Sequence, residues 1–382
     1  MRTVSARQRN ARVLLCPGPV MLSPGVKAAL TEREIGHRDT DFSQLMARLR
    51  RSSRQVFGAG DDHSIVFIGG PATAAIEATC ATLLPAHARV LVPVNGCFGT
   101  RITEILKVHQ IPHVPLDFGL GQPIDLERLE SFIVAEQANG FTALAMTHHE
   151  TSAGLLNPVS AVATLARRYN LRLIVDATSS AGVEDLDVSR DGIDACITTS
   201  GKCLHGPAGL GLVCVRGEFL QASRINSARS YTLDLHRYHD QLEYNQQTPF
   251  TPPVPLLLAL ERAIEELLER GIEHRRRSYW KRRTILTEGF ARLGLSTLPL
   301  TAGSEASSIL TVVVPQELGF DAFYAACKER GFLIYAAKPP LAPRYFQVAV
   351  MGALEDHQLY EFLECVESLT RAKPAHYVAL PA

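Results

Sequence analysis

The 382-residue sequence predicts an α/β protein whose large domain is built on a mostly parallel sheet and is followed by a smaller α+β domain. The first observation is that short apolar runs alternate with helical patterns between about residues 60 and 215. Such alternation is typical of a parallel sheet covered by helices on both faces. The second is a long helical pattern over 256–293, after which the chain returns to short strand-like runs.

Each element is predicted from its own local pattern. The predicted strands of the large domain are 64–68, 90–94, 113–116, 143–147, 171–176, 195–199 and 210–215. The helical patterns between them include 73–84, 101–109, 126–135 and 161–169. A polar, proline-rich stretch over 238–255 precedes the long helical pattern, and the last strands are predicted near 309–314, 332–335 and 346–350. We therefore expect an N-terminal arm over 1–20 that joins the small domain, a large domain over 21–255, and a linking helix with the small domain over 256–382.

Charge and hydropathy exclude several classes of protein. The 39 Lys and Arg residues balance 39 Asp and Glu residues, so no electrostatic footprint indicates binding to nucleic acid or to an anionic membrane. The sequence contains no run of eighteen apolar residues, so we expect no membrane span. Arg2, Arg7, Arg9 and Arg12 are not followed by a long apolar stretch, so the arm is interpreted as a frayed terminus rather than a signal peptide, with a transit peptide as the alternative. We expect a cytoplasmic protein.

The cysteines and histidines do not form a metal-binding pattern. The sequence has eight cysteines and no CxxC pair, at positions Cys16, Cys80, Cys97, Cys196, Cys203, Cys214, Cys327 and Cys365. His109 and His113 stand four residues apart without an HExxH motif or a cysteine partner. We therefore predict no metal site, and we interpret the cysteines as free and mostly buried thiols in a reducing compartment.

Two residues at predicted strand ends carry the main chemical signal. Asp176 closes one apolar strand, and Lys202 follows the next strand 26 residues later. Each has an ordinary explanation alone, as a helix cap or as a solvated lysine. In a parallel sheet, however, this spacing can bring two strand ends close together, at the edge where ligands bind. Pyridoxal phosphate (PLP) requires such a pair, with a lysine to hold its aldehyde as a Schiff base and a carboxylate to keep its pyridine nitrogen protonated.

Two further segments follow strands in the same way. Residues 69–73 contain Gly69 and Gly70 and open a helix, where backbone N–H groups could bind an anion. Residues 95–101 include Phe98, whose ring could stack on a planar cofactor. A plain strand-to-helix turn and an ordinary core phenylalanine are the alternatives. The Walker and GxGxxG patterns are both absent, so a nucleotide-dependent oxidoreductase is a distant alternative.

Together these segments resemble the class V, fold type I, PLP-dependent aminotransferases. The resemblance runs from Pro17 to Gly352 and is carried by segments 16–20, 95–101, 149–158, 175–180, 200–203 and 228–235. It implies that Lys202 carries the cofactor and moves protons, that Asp176 pairs with the ring nitrogen, and that Phe98 stacks on the ring. It also implies cofactor contacts for Ala72, Thr73, Thr151 and Ser200, and for Thr251 from a neighbouring subunit. A homodimer with shared active sites is therefore expected.

One position departs from the family pattern. Gln347 stands where the family has an arginine that binds the acidic group of the substrate, and an amide cannot replace the bidentate pairing. Arg344, Lys338 or Arg38 could substitute for it. The resemblance implies transfer of the amino group of 2-aminoethylphosphonate, or of a close relative, to pyruvate as the 2-oxo acid acceptor. A transaminase for another amine, a PLP-dependent lyase and a non-catalytic protein of the same fold remain alternatives.

Overall fold

A computed structural model describes residues 12–136, 140–315 and 318–371. Arg2, Arg7 and Arg9 of the predicted arm lie outside these ranges. The strands are β1 Val13–Leu14, β2 His63–Gly69, β3 Val90–Val94, β4 His113–Asp117, β5 Ala143–Thr147, β6 His149–Glu150, β7 Leu155–Leu156, β8 Arg172–Asp176, β9 Ala195–Thr199, β10 Leu210–Arg216, β11 Ile309–Val313, β12 Phe332–Leu333, β13 Tyr335–Ala336 and β14 Tyr345–Ala349. The helices are α1 Pro24–Ala29, α2 Thr40–Phe57, α3 Ala72–Leu83, α4 Cys97–Val108, α5 Leu126–Ala135, α6 Val159–Arg168, α7 Val188–Asp191, α8 Gly217–Ala222, α9 Leu235–Asn245, α10 Val254–Arg270, α11 Ile272–Arg292, α12 Gly319–Glu329 and α13 Asp356–Arg371.

The large sheet has seven strands in the order β2-β10-β9-β8-β5-β3-β4. Its neighbours pair in parallel except at β10, which is antiparallel to both β2 and β9. The predicted fold class is therefore confirmed. Because β2, β3, β5, β8 and β9 all run in one direction, the loops that follow them meet at one edge of the sheet.

Two helical segments differ from the prediction. The pattern predicted as one helix over 256–293 is two helices, α10 and α11, that break at Gly271, whose φ is 88°. Glycine adopts this left-handed conformation without the steric cost that a side chain would add. The stretch over 238–255, which the sequence marked only as polar and proline-rich, contains most of α9, whose buried Leu235, Tyr238 and Leu242 have helical spacing.

Apolar side chains form two main cores. The larger one fills both faces of the seven-stranded sheet. The smaller one packs the sheet β11-β14-β13 against α11, α12 and α13. Strand β1 pairs in parallel with β12, so the chain near Val13 joins the smaller unit. The domain boundaries proposed from the sequence stay predictions.

All eight cysteines are free, and seven of them are buried, with Cys97 the partly exposed one. Across the three described ranges, no helix is long and apolar enough to cross a membrane. Within the same ranges, no three His, Cys, Asp or Glu side chains are grouped as metal ligands.

Candidate active site

A cavity of about 520 Å³ opens at the carboxyl edge of the large sheet. It is lined by the loops that follow β2, β3, β5, β8 and β9, together with Gly18 and Pro19 from the N-terminal segment. Of the residues proposed from the sequence, those that line it are Ala72, Thr73, Phe98, Thr151, Asp176 and Lys202. The fold therefore brings six of them around one space.

Lys202 lies in the loop after β9, and its Nζ donates a hydrogen bond to the carbonyl of Pro17. The approach is close because residue 18 is a glycine with φ of +97°, where a Cβ would lie 3.2 Å from Lys202 Cε. Burial lowers the pKa of the Lys202 amine, and the nearby Asp176 opposes that shift only in part. A lowered pKa increases the fraction of neutral amine, which is the nucleophile needed to bond an aldehyde.

Asp176 is 3% exposed at the end of β8. Its Oδ1 accepts hydrogen bonds from the backbone N–H of Thr178 at 3.0 Å and from the Thr178 hydroxyl. Its Oδ2 accepts a 2.8 Å bond from Nη2 of Arg101. These bonds fix the orientation of the carboxyl group, with Oδ2 on the side of the guanidinium.

Arg101 is a site residue to which the sequence analysis assigned no role. Besides its bond to Asp176, its Nη1 donates to the Thr73 hydroxyl at 3.2 Å, and its guanidinium carbon lies 4.7 Å from the centre of the Phe98 ring. One cation therefore contacts three of the residues proposed to hold the cofactor. Its position one helical turn after Phe98 on α4 was the available signal.

The loop after β2 leads into the N-terminus of α3, which can bind an anion. Helix α3 begins at Ala72, and its N-cap residue Pro71 makes no side-chain capping bond. The first N–H groups of the helix are therefore available to an anion, and the helix dipole favours negative charge there. Gly70 precedes this turn with φ of +135°, a conformation that suits glycine. The Thr73 hydroxyl adds a side-chain donor to this end of the cavity.

Glu150 holds the backbone of Phe98 in position. Its buried carboxylate accepts backbone N–H bonds from Phe98 and Gly99 at 3.1 Å each, and further bonds from the N–H and hydroxyl of Ser152. Burial raises the pKa of Glu150, while these hydrogen bonds act in the opposite direction. A Cβ on Gly96 would collide with this carboxylate, so glycine is required there.

Three buried polar atoms of cavity-lining residues have no partner among the described residues. They are the hydroxyl oxygen of Thr147, Nε2 of His149 and Nε of Arg101. His149 Nδ1 lies 2.9 Å from the carbonyl of Ser179, which can only accept, so we assign the proton to Nδ1 and leave Nε2 as an acceptor. Burial lowers the pKa of His149 to about 3, so the ring is neutral. Unsatisfied buried groups call for a polar ligand, and their placement fits a cofactor with several polar substituents.

The other proposed residues lie outside the cavity. Ser200 is fully buried, and its hydroxyl donates to the carbonyls of Pro207 and Leu210 rather than towards an anion; the preceding Thr199 lines the cavity instead. Thr251 is exposed in the segment before α10. The guanidinium of Arg38 donates hydrogen bonds to the carbonyls of Thr248 and Pro249 and to the side-chain oxygen of Gln247.

Gln347 and Arg344 also do not reproduce the family's arginine that binds the acidic group of the substrate. Gln347 is 3% exposed on β14, and its amide nitrogen donates to the carbonyl of Thr151 at 2.6 Å and to the Thr311 hydroxyl at 3.3 Å. This side chain therefore ties the small sheet to the cavity wall and has no N–H left for a substrate. Arg344 is exposed, with its guanidinium carbon 5.6 Å from the centre of the Tyr345 ring.

The fold and this site together define a fold type I PLP enzyme. A lysine of lowered pKa, an oriented carboxylate, an aromatic ring and an uncapped helix N-terminus converge in one cavity of the size that ligands of this kind occupy. The group itself would be held by Lys202, Asp176, Phe98, Ala72 and Thr73.

Comparison with known proteins gives the family. Residues 26–336 match the aminotransferase class-V family, and the chain belongs to it. A 2-aminoethylphosphonate–pyruvate transaminase from Burkholderia mallei (strain SAVP1) is 36% identical over 345 residues, covering 90% of this chain and 92% of the relative. One from Burkholderia thailandensis is 34% identical over 363 residues, covering 94% and 97%.

Solved structures show the same architecture. An aspartate aminotransferase of subgroup IV from Thermus thermophilus superposes with a TM-score of 0.84 at 26% identity, covering 94% of this chain and 99% of that one. An alanine–glyoxylate aminotransferase from Nostoc sp. gives 0.88 at 24% identity, covering 97% of each chain, and at this identity it bears on the fold alone. The protein is therefore a PLP-dependent aminotransferase, as the sequence predicted.

Proposed function

We propose that this aminotransferase moves the amino group of 2-aminoethylphosphonate to pyruvate, giving phosphonoacetaldehyde and alanine. The observation that carries the proposal is the convergence of Lys202 and Asp176 in one cavity, in a chain that matches relatives of that name over 90% or more of its length. Both substrates are small and acidic, which suits a cavity of about 520 Å³.

The roles of the chain's own residues follow from their positions. When bound, PLP supplies an electron sink that stabilises the negative charge left on a substrate carbon after proton removal. Lys202 would hold the cofactor through Nζ and, as a neutral amine, would take up and release the proton at the substrate carbon. Its lowered pKa suits both steps. Asp176 would keep the ring nitrogen protonated.

The remaining contacts orient and enclose the cofactor. Phe98, fixed by Glu150, would pack on one face of the ring. The N–H groups at Ala72 and Thr73 would bind the phosphate. Thr151, whose hydroxyl donates to Ser179 at 2.9 Å, lines the same wall as His149.

We also propose a homodimer in which Thr251 of one subunit reaches the phosphate of the other. Thr251 is exposed and does not line the cavity of its own chain. Its segment packs beside the phosphate loop, since a Cβ on Gly69 would lie 3.6 Å from Pro253 Cδ. We place the enzyme in the cytoplasm, because eight free thiols suit a reducing compartment.

Because residue 347 is a glutamine, the acidic group of the substrate needs a cation from another position of the chain. We propose Lys338 for this role ahead of Arg344 and Arg38. Burial raises the pKa of the Cys97 thiol at the start of α4, and the hydrogen bond with Ser152 and the positive charges of Lys338 and Arg101 oppose that shift, so the charge of Lys338 acts on this end of α4. Lys338 is exposed and is therefore accessible to a substrate in solution.

A donor screen with the purified holoenzyme tests the proposal. We expect formation of alanine from pyruvate with 2-aminoethylphosphonate, and little with a matched amine that lacks the phosphonate, such as ethylamine. Lys338→Gln should raise the apparent KM for the phosphonate amine by about tenfold or more, as the loss of a charge-assisted bond implies, while Arg344→Gln serves as the matched control. Equal rates with both amines would contradict the phosphonate assignment. Release of ammonia without alanine would indicate a lyase instead.

A further inference from the structure

His205 ties the loop that carries Lys202 to the smaller unit. It lies three residues after Lys202, and its backbone N–H donates a hydrogen bond to the Lys202 carbonyl at 3.0 Å. Its ring Nε2 lies 2.6 Å from the hydroxyl of Tyr279 on α11 and 2.9 Å from the backbone nitrogen of Gly352, which follows β14. One residue of the Lys202 loop therefore contacts two elements of the smaller unit.

The partners of the His205 ring fix its protonation. The backbone nitrogen of Gly352 can only donate, so Nε2 is an acceptor and we assign the ring proton to Nδ1. The hydroxyl of Tyr279, which is 1% exposed, then donates to Nε2 as well. Burial lowers the pKa of His205, and the positive charges of Arg275 and Arg282 act in the same direction, so the ring is neutral. A single acceptor thus serves two buried donors.

The backbone of His205 shapes the loop around Lys202. Its φ is +60°, in the left-handed region that residues with a side chain seldom adopt. The chain turns back at this point, and the N–H of Gly206 donates to the carbonyl of Ser200 at 2.9 Å. Lys202 therefore lies inside a tight loop over 200–206 whose uncommon conformation falls on the residue that is bonded to the smaller unit.

The N-terminal segment makes a second connection between Lys202 and the smaller unit. The carbonyl of Pro17 accepts a hydrogen bond from Lys202 Nζ. Four residues later, the carbonyl of Met21 accepts the N–H of Ala353 at 2.8 Å. Lys202 is thus held at its amine by this segment and at its backbone through His205, and both connections lead to the chain after β14.

We propose that His205 is a positioning residue for the amine of Lys202, and that it makes the placement of this amine depend on the smaller unit. The inference rests on the proposed role of Lys202. Tyr279 and Gly352 hold the ring of His205, the ring holds the loop after β9, and the loop sets where Nζ lies in the cavity. Misplacement of a reacting group by about 1 Å can cost on the order of a hundredfold in rate, so a loosened loop should be visible in turnover.

Loss of this link should have effects that loss of stability alone does not produce. Without the acceptor, the donors of Tyr279 and Gly352 lose their bonds to His205, which lowers stability. A displaced Lys202 amine affects proton transfer rather than substrate contacts, so kcat should fall with little change in KM. Burial lowers the pKa of this amine, so water that enters beside a loosened loop should raise the pH at which the visible absorption of the bound cofactor changes.

The test compares variants of the holoenzyme at His205 with a matched histidine. His205→Leu removes the acceptor, whereas His205→Gln supplies a carbonyl oxygen that can accept from the same donors. His239→Leu is the control, because His239 Nδ1 lies 2.9 Å from the Ser64 hydroxyl and this residue does not line the cavity.

The expected results separate positioning from folding. His205→Leu should lower kcat by about tenfold or more while KM stays within about twofold. It should also raise the pH midpoint of the cofactor band by about half a unit. His205→Gln should recover most of both changes, and His239→Leu should leave both at the wild-type values even if its unfolding temperature falls.

Several outcomes would overturn the proposal. One is a His205→Leu enzyme with the kcat and the pH midpoint of the wild type, and another is a set of losses that His239→Leu reproduces. If His205→Leu does not fold, Tyr279→Phe removes only the hydroxyl donor, and an unchanged kcat and midpoint there would equally contradict the link. Borohydride labelling of the wild-type enzyme keeps this inference apart from the proposed function, since a label on another lysine refutes the role of Lys202 itself.

Discussion

Replacing Arg101 with glutamine should destabilise the enzyme much more without PLP than with it. In the structure, Arg101 Nη2 lies 2.8 Å from Oδ2 of Asp176, and the two side chains are 22% and 2% exposed. Arg101→Gln therefore leaves a buried carboxylate with a neutral neighbour. In our proposal the ring nitrogen of the cofactor contacts the same carboxylate. The protonated nitrogen would therefore bring its own positive charge to Asp176.

The magnitude follows from the burial of the pair. Removing one partner of a buried ion pair costs about 3–5 kcal/mol. Asp176 keeps its two hydrogen bonds from Thr178, and Arg101 is partly exposed, so we expect a loss of about 2–3 kcal/mol in the cofactor-free protein. With PLP bound, the protonated ring compensates the carboxylate, and the loss should fall to about 1 kcal/mol.

Urea unfolding of cofactor-free and PLP-saturated protein measures both losses. The matched control is Arg172→Gln, because Arg172 begins the same strand β8 and pairs with Asp194 at 3.0 Å away from the cavity. Its cost should not depend on PLP. If Arg101→Gln costs the same in both forms, then Arg101 and the cofactor do not share Asp176. A larger cost with PLP would mean that Arg101 binds the cofactor itself.

Tests at four other residues address the proposed site. Lys202→Ala should abolish turnover while PLP still binds non-covalently, and borohydride reduction of the wild-type enzyme should label Lys202 alone; a label on another lysine would disprove its role. Asp176→Asn should fold but lose most of its activity, and a rate near that of the wild type would rule out its role at the ring nitrogen. Glu150→Gln should weaken PLP binding by about tenfold, because the N–H groups of Phe98 and Gly99 lose a charged acceptor, and an unchanged Kd would remove Glu150 from the site. A crystal structure of the dimer should place the Thr251 hydroxyl at the phosphate of the partner subunit, and Thr251 far from both phosphates would end that proposal.

The sequence by itself determined the architecture and the class of chemistry. Apolar strands that alternate with helical patterns can bury their two faces only in a covered parallel sheet, and strand bounds such as Val90–Val94 and Ala195–Thr199 were read directly from the pattern. The sheet then dictates that the loops after its strands meet at one edge. The proximity of Asp176 and Lys202 follows from that geometry and from their spacing in the chain.

Two features of the helices could not be predicted from the hydrophobic pattern of the sequence. A helical period continues through Gly271, so the break between α10 and α11 depends on a backbone conformation that hydrophobic spacing does not report. Helix α9 was missed because its polar face and the prolines that follow it outweighed three apolar residues at helical spacing.

Only the tertiary structure decided which partner each polar side chain has. Ser200 and Thr199 are adjacent in sequence, but only Thr199 lines the cavity, because neighbouring residues leave a strand end in different directions. Gln347 donates its amide hydrogens to Thr151 and Thr311, and Arg101 reaches Asp176 from a helix 75 residues earlier in the chain. Such contacts depend on distances of a few ångström between segments far apart in sequence, and residue type and spacing alone do not specify them.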